Sequence, residues 1–252
     1  MTSRTSFRAF AIVLAGVLAL GLAGCSPVLH SVDGQTHQRG IDEPFFVQSE
    51  RMAAKRAIID SGVPIDLVFI GDSITQNYEK PDYQPVWQTF YGHRHALNLG
   101  YGMDTTGATL WRFRQGELKG LAPKVAIILI GTNDTNAGRS SDETLAGIVS
   151  VVDEVKKRLP ATRIILMGIL PSVRSEGKSK ADMDVNARLT VHYGGDKRVT
   201  YLTAAKALLK PVGVNRALYV EQPPEGALHP NPKGQAAVAK IIEPELKRLL
   251  GE

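Results

Sequence analysis

The chain has 252 residues, 43% hydrophobic and 22% charged, with a formal net charge of +5. That length suits one α/β domain with a full core, or at most two small ones, and the composition is ordinary for a globular protein. No dense Lys/Arg run alternates with aromatics, which argues against a nucleic-acid partner. With Arg4 and Arg8 assigned to a cleaved leader, the charge falls to about +3, a solvated surface or one facing an anionic envelope.

In chain order, the first feature is the apolar run "AFAIVLAGVLALGLAG" behind an Arg-bearing start. It is short and glycine-interrupted beside the roughly 20 residues of a spanning helix, and fits the apolar region of a secretory signal. It ends in "LAGC", whose Cys25 is the single cysteine of the chain. One cysteine makes no internal disulfide, and no Cys/His spacing suggests zinc. Residues 1–24 with Cys25 resemble a bacterial lipoprotein signal, which implies cleavage before Cys25, lipidation of its thiol and a membrane tether. The alternative is an ordinary signal or anchor helix that contains a cysteine. Ser26 carries no acidic retention signal, so the outer membrane is the expected address in a Gram-negative source.

Residues 25–44 lack apolar periodicity and carry Pro, Gly and polar residues, the pattern of a flexible tether. From residue 45 a single domain is expected. "FFVQSERMAAKRAIIDSG" has helical spacing ending at Gly62, and "IDLVFI" reads as a buried strand. A short helix in "YQPVWQTFYG", a strand in "HALNLG", and a helix opened by Asp104 or Thr105 follow. "VAIILIG" is the clearest strand. The next helix has a capping box, Ser140 to Glu143, and Lys/Arg at its end. "TRIILMGIL", "MDVNARLTVHYG" and "RVTYLTA" read as strand, helix and weaker strand. Asn231 before Pro232 starts the last helix, which Pro244 should kink or divide. Alternating strands and helices predict a parallel sheet with helices on both faces, and ligands beyond the carboxyl ends of its strands.

Ser73, Gly100 and Asn133 all fall just past predicted strand ends. Acyl transfer needs a nucleophile, a base and donors aimed at the developing oxyanion. Ser73 offers a hydroxyl on a strand-to-helix turn, Gly100 an unobstructed backbone N–H, Asn133 an amide N–H, and His229 a titratable imidazole. Each alone has a plain structural reading as cap, turn, loop or surface residue. Asp72 should fix the Ser73 turn by a side-chain to backbone bond. His93 and His95, at a spacing metals use, lack an evident third ligand and read as structural.

The four segments "GDSIT", "NLGYG", "GTND" and "LHPNPKG" together resemble the motif blocks of the SGNH (GDSL-type) hydrolases, from about residue 64 to the C-terminus. "NLGYGMDTTGATLWRFRQGEL" and "PKVAIILIGTND" are most similar to the platelet-activating-factor acetylhydrolase-like branch. The resemblance implies a flavodoxin-like three-layer α/β/α sandwich and ester hydrolysis without metal or cofactor. It implies Ser73 and His229 as the catalytic pair, and the Ser73 N–H, Gly100 N–H and Asn133 amide as the oxyanion hole. The family's last block usually reads Asp-x-x-His, but here Gly226 stands three residues before His229. Glu225, one position earlier, is the candidate acid, and a backbone carbonyl is its rival. The expected activity is removal of short acyl groups, acetyl first, from a small-molecule or glycan ester at the cell envelope. Acyl transfer to a second alcohol on the same site, or a non-catalytic binding lipoprotein on this fold, are the alternatives.

Overall fold

The structure is a computed structural model that describes residues 29–32, 35–38, 47–222 and 226–252. The expected signal peptide, Cys25 and Glu225 lie outside the described residues. Within the expected tether, strands β1 (Leu29–Val32) and β2 (Gln35–Gln38) pair antiparallel.

Beyond them, helices and strands alternate. The first half runs α1 (Ser49–Asp60), β3 (Leu67–Gly71), α2 (Ser73–Gln76), α3 (Gln84–Phe90), β4 (Ala96–Gly100) and α4 (Thr106–Arg114). The second runs β5 (Val125–Leu129), α5 (Thr132–Asn136), α6 (Ser141–Arg158), β6 (Arg163–Met167), α7 (Glu176–Tyr193), β7 (Val199–Leu202) and α8 (Ala205–Leu208). A hairpin of β8 (Tyr219–Gln222) and β9 (Gly226–Pro230) leads into α9 (Pro232–Leu250).

Five strands form one parallel sheet in the order β4-β3-β5-β6-β7. This is the flavodoxin-like order, whose strand direction of travel reverses beside β3 and opens a crevice there. The period of two along each strand sorts the core into two layers. Val68, Ile70, Ala126, Ile128, Ile164 and Leu166 pack on one face with Ile59, Phe113, Ile148 and Leu189 of α1, α4, α6 and α7. Leu67, Phe69, Ile127, Leu129, Ile165 and Met167 pack on the other with Tyr91, Leu208, Val238 and Ile242 of α3, α8 and α9 or their ends. Both faces are covered, which is why these strands read as continuous apolar runs.

The α6 capping box forms, with the Ser140 side chain on the Glu143 N–H and the Glu143 carboxylate on the Ser140 N–H. Two expectations need correction. Pro244 does not divide α9, which runs unbroken through it. Pro244 and Lys240, one turn earlier, are both exposed, so the carbonyl that loses its N–H partner faces water. Buried Val238, Ile242 and Leu246 hold the helix down on either side. Helix α7 opens earlier than its apolar pattern suggests, at Ser175, whose side chain accepts from the Lys178 N–H. Its first inward positions are filled by an ion pair, Lys178 with Asp182 at 2.5 Å, both nearly fully buried, so no apolar period announces them.

Candidate active site

Strand β3 ends at Gly71, and the chain turns at once into α2, of which Ser73 is the first residue. Asp72 caps this helix as expected: the Ile74 N–H donates to its Oδ1 at 2.8 Å. Asp72 is fully buried, and that burial pushes its carboxyl up to about 7. The Ser73 N–H, at the first helical position, has no partner within the helix.

Ser73 Oγ lies 2.9 Å from His229 Nε2. The hydroxyl can donate to Nε2 only if the imidazole carries its proton on Nδ1, and Nδ1 faces Gln222 Oε1 at 3.3 Å. One tautomer therefore satisfies both contacts, and among the described residues the group that selects it is an amide, not a carboxylate. The hairpin places it there. Gln222 pairs with Gly226, and the register slips so that two steps along β8 oppose three along β9, next to His229. Such a bulge re-aims a side chain.

Gly226 explains the missing acid. Its φ is +85°, and a Cβ there would meet the Val173 carbonyl oxygen at 1.9 Å. The adjacent Ala227 is pinned to Val173 by two backbone bonds of 2.7 and 3.0 Å. Aspartate has no room at this position. Burial first, and then the positive charges of Lys80 and Arg174, hold the His229 imidazole below its ordinary value of 6.5.

Gly100 does not offer the N–H expected of it. That amide donates to Asn98 Oδ1 at 2.8 Å. The missing side chain serves packing instead, since a Cβ would lie 2.4 Å from Gln76 N and 2.7 Å from Thr75 Cβ. Only glycine lets α2 sit this close to β4.

Asn133 Nδ2 donates to the Asp104 carbonyl at 2.8 Å, which leaves its second amide hydrogen for a ligand. Its neighbour Asp134, fully buried, accepts from the Thr106 N–H at 3.0 Å, the Thr106 hydroxyl at 2.7 Å and Arg139 at 2.7 Å. The loop after β4, which carries Asp104, is a turn closed by Asp104 N–H to Tyr101 O at 3.2 Å. In it the Gly102 N–H is taken by Gln76 Oε1 at 2.6 Å, and Met103 has φ +64°. Buried Arg112 holds this loop from behind: it pairs with Asp104 and Glu117 and lies 3.9 Å over the Tyr101 ring.

Ser73 and His229 open onto a cavity of about 440 Å³, lined also by Gln76, Asn77, Lys80 and Gln222, within the range of small-molecule sites. His95, by contrast, is exposed and pairs with Asp66 at 2.8 Å. Phe113 is in the core.

Residues 69–237 match the model of the GDSL-like lipase/acylhydrolase family. The chain belongs to that family. It is a carboxylic ester hydrolase. The human platelet-activating factor acetylhydrolase IB subunit alpha1 is 29% identical over 190 residues, 74% of this chain and 78% of that protein. A GDSL-like lipase structure from Bacteroides thetaiotaomicron superposes with a TM-score of 0.62 at 19% identity, covering 78% of this chain and 98% of the other. A carbohydrate esterase family 3 structure from Talaromyces cellulolyticus gives 0.58 at 18% identity, covering 75% and 99%. At those identities the structures show a shared fold.

Sequence reading overlooked three groups that build this hydrolase's site. Gln222 lies seven positions before His229 and becomes its neighbour only through the hairpin. The apolar "ALYV" and "GALHP" around "PPEG" are a hairpin signal that could have disclosed it. Gln235 donates to the Ile74 carbonyl at 2.7 Å, and Tyr83 to the Pro230 carbonyl at 3.1 Å. The first ties α9, which follows His229, to the Ser73 helix, and the second ties the residue after His229 to the turn at Pro81–Tyr83; no motif signals either.

Proposed function

We propose that this hydrolase is a serine esterase that removes short acyl groups, acetyl foremost, from a polar alcohol by way of an acyl-enzyme. The observation that carries the reading is the 2.9 Å contact of Ser73 Oγ with His229 Nε2 at the floor of the cavity. Ser73 Oγ attacks the ester carbonyl as its proton passes to Nε2. His229 then returns the proton to the departing alcohol, leaving Ser73 acylated. Water, deprotonated by the same nitrogen, releases the acid and restores the hydroxyl. Gln222 holds the imidazole in the tautomer this requires.

The oxyanion falls to the Ser73 N–H, the second hydrogen of Asn133 Nδ2, and the Met103 N–H. The last replaces Gly100: it is the amide that the Tyr101–Asp104 turn leaves unused among the described residues, next to the carbonyl that Asn133 holds. The polar cavity wall, and the acetylhydrolase and carbohydrate esterase names of the relatives, support a small acyl group on a polar alcohol. We place the mature protein at the envelope through a lipid on Cys25, from the "LAGC" box. Mass spectrometry of membrane-extracted protein should find acylated Cys25 at its N-terminus, and an unmodified protein that begins elsewhere removes the anchor.

An alkyl phosphonate should label Ser73, and Ser73→Ala should abolish both labelling and turnover of an aryl acetate. Asn133→Ala should lose about 10²–10³ in kcat while staying folded. A wild type that neither reacts nor turns over would make the protein a binder on this fold.

A further inference from the structure

The cavity wall beside His229 carries a positive charge that no carboxylate among the described residues balances. Lys80 lines the cavity, and among the described residues no carboxylate pairs with it. Glu79, on the same wall, is already bound by Arg51 and Lys55 at 2.5 Å each. Glu221, next to Gln222, is held by Arg216. Asp82 is exposed and makes no ion pair with Lys80. Arg174, which has a partner of its own, is a second cation near the imidazole.

Lys80 is exposed, and its backbone is held in place beside the cavity. It is one extended residue, φ −71° and ψ 145°, between the 3₁₀ turns Asn77–Glu79 and Pro81–Tyr83. Its N–H donates to the Asn77 carbonyl at 3.0 Å, and its own carbonyl accepts from Tyr83 and Gln84 at 2.9 and 3.1 Å. The Tyr83 hydroxyl then ties the corner to Pro230, the residue after His229. Behind it, Tyr78, Trp87 and Tyr91 pack around Phe69 with ring centroids 4.6 to 6.0 Å from it.

When His229 takes the Ser73 proton it becomes a cation. Its side-chain partners among the described residues, Ser73 and Gln222, are neutral, and the described charges that act on it, Lys80 and Arg174, are positive. Among the described residues the transition state therefore lacks the counter-charge that a carboxylate partner supplies. An anionic group on the substrate can supply it. The leaving alcohol must lie on the His229 side to receive the proton, and Lys80, Val220 and Gln222 form the cavity wall with His229.

We infer that the esters this enzyme turns over carry an anionic group, carboxylate or phosphate, on the alcohol portion, seated on Lys80 Nζ beside His229. The anion does two things there: it binds the lysine, and it offsets the imidazolium as that charge develops. This rests on the serine-esterase reading above.

The test compares three aryl acetates on the mature protein: 4-acetoxybenzoate, its neutral methyl ester, and 4-acetoxyphenyl phosphate. The readout is the ratio of kcat/KM for each anion to that for the neutral ester, across wild type, Lys80→Arg, Lys80→Met and Lys80→Glu. Comparing ratios between proteins cancels the intrinsic reactivity of each ester. The ratio should hold in Lys80→Arg, fall about fivefold or more in Lys80→Met, and fall further in Lys80→Glu, the scale of one charge contact at a partly wet site. Part of the fall should appear in kcat, because the anion acts on the imidazolium as well as on binding. About 1 M salt should compress the wild-type ratio. Whichever anion responds to Lys80 identifies the carboxylate or phosphate class. Equal ratios in all four proteins overturn the inference, while turnover of the neutral ester that dies with Ser73→Ala leaves the esterase reading standing. A wild type inert to all three esters overturns both.

Discussion

Replacing Gln222 with glutamate puts a carboxylate where an amide oxygen now sits, 3.3 Å from His229 Nδ1. The acceptor is retained, so the imidazole keeps its tautomer, and only charge is added. Opposite charges about 4 Å apart are worth about 4 kcal/mol at an effective dielectric constant of 20 and about 1 kcal/mol in water. His229 is half-buried, so the pair falls between these limits, or about 1 to 3 pKa units. In the wild type, burial, Lys80 and Arg174 hold the imidazole below 6.5. The acid limb of its kcat/KM profile should therefore lie below that value, with activity retained into mildly acidic solution. In Gln222→Glu the limb should move up by at least about one unit. Activity at pH 5 falls, and the alkaline plateau rises about tenfold as the imidazolium gains a counter-charge. Gln222→Leu, with no acceptor, should lose activity at every pH, and Glu225→Gln should keep it. The assay is a pH series on a neutral aryl acetate, with melting curves for each protein. An unmoved limb in folded Gln222→Glu would refute the role of Gln222 and pass it to Glu225 or to a backbone carbonyl.

Two further outcomes follow from buried charge. Asp72 ionises near 7 in the folded protein against about 3.8 for the ordinary group, so between these values the native state binds more protons than the unfolded one. Stability from this group is present below about 4 and is lost as pH rises through 7. Asp72→Asn keeps the acceptor for Ile74, so denaturant titrations at pH 4, 6 and 8 should show a flatter dependence than wild type, and an identical slope would contradict the assignment. Arg112→Leu leaves Asp104 and Glu117 buried without their cation, and should cost about 3–5 kcal/mol; a loss under about 1 kcal/mol would mean the loop is held by other contacts.

The sheet was legible because its physics is local. Short β-branched runs such as "VAIILIG", closed by glycine, favour a buried strand over a helix, and caps such as Ser140 with Glu143 announce the helices that follow. The nucleophile turn was legible for a related reason: Gly71, Asp72 and Ser73 are adjacent, so one tripeptide holds the close approach, the cap and the hydroxyl. What could not be read depends on pairing across distance. Asn98 captures the Gly100 amide through a side-chain rotamer that no spacing encodes. Gln222 reaches His229 by strand register and one bulged residue. Gly226 looked like a vacancy in a motif, yet it is filled by the Val173 carbonyl of a segment 53 positions away.

The two halves of the catalytic pair belong to parts of the molecule with different tenacity. Ser73 follows a central strand with paired neighbours on both sides. His229 rides on a two-stranded hairpin outside the main sheet, a unit that is marginal by itself. It is retained by the burial of Tyr219, Ala227 and Leu228 and by bonds such as Val173 to Ala227, Tyr83 to Pro230 and Gln235 to Ile74. Such a segment opens at a lower free energy than the sheet beneath it. On warming, the imidazole should depart while the sheet still stands, and catalytic failure should precede the loss of helical signal. A heated sample that has gone silent should recover on cooling, since the larger part of the chain never left its native arrangement.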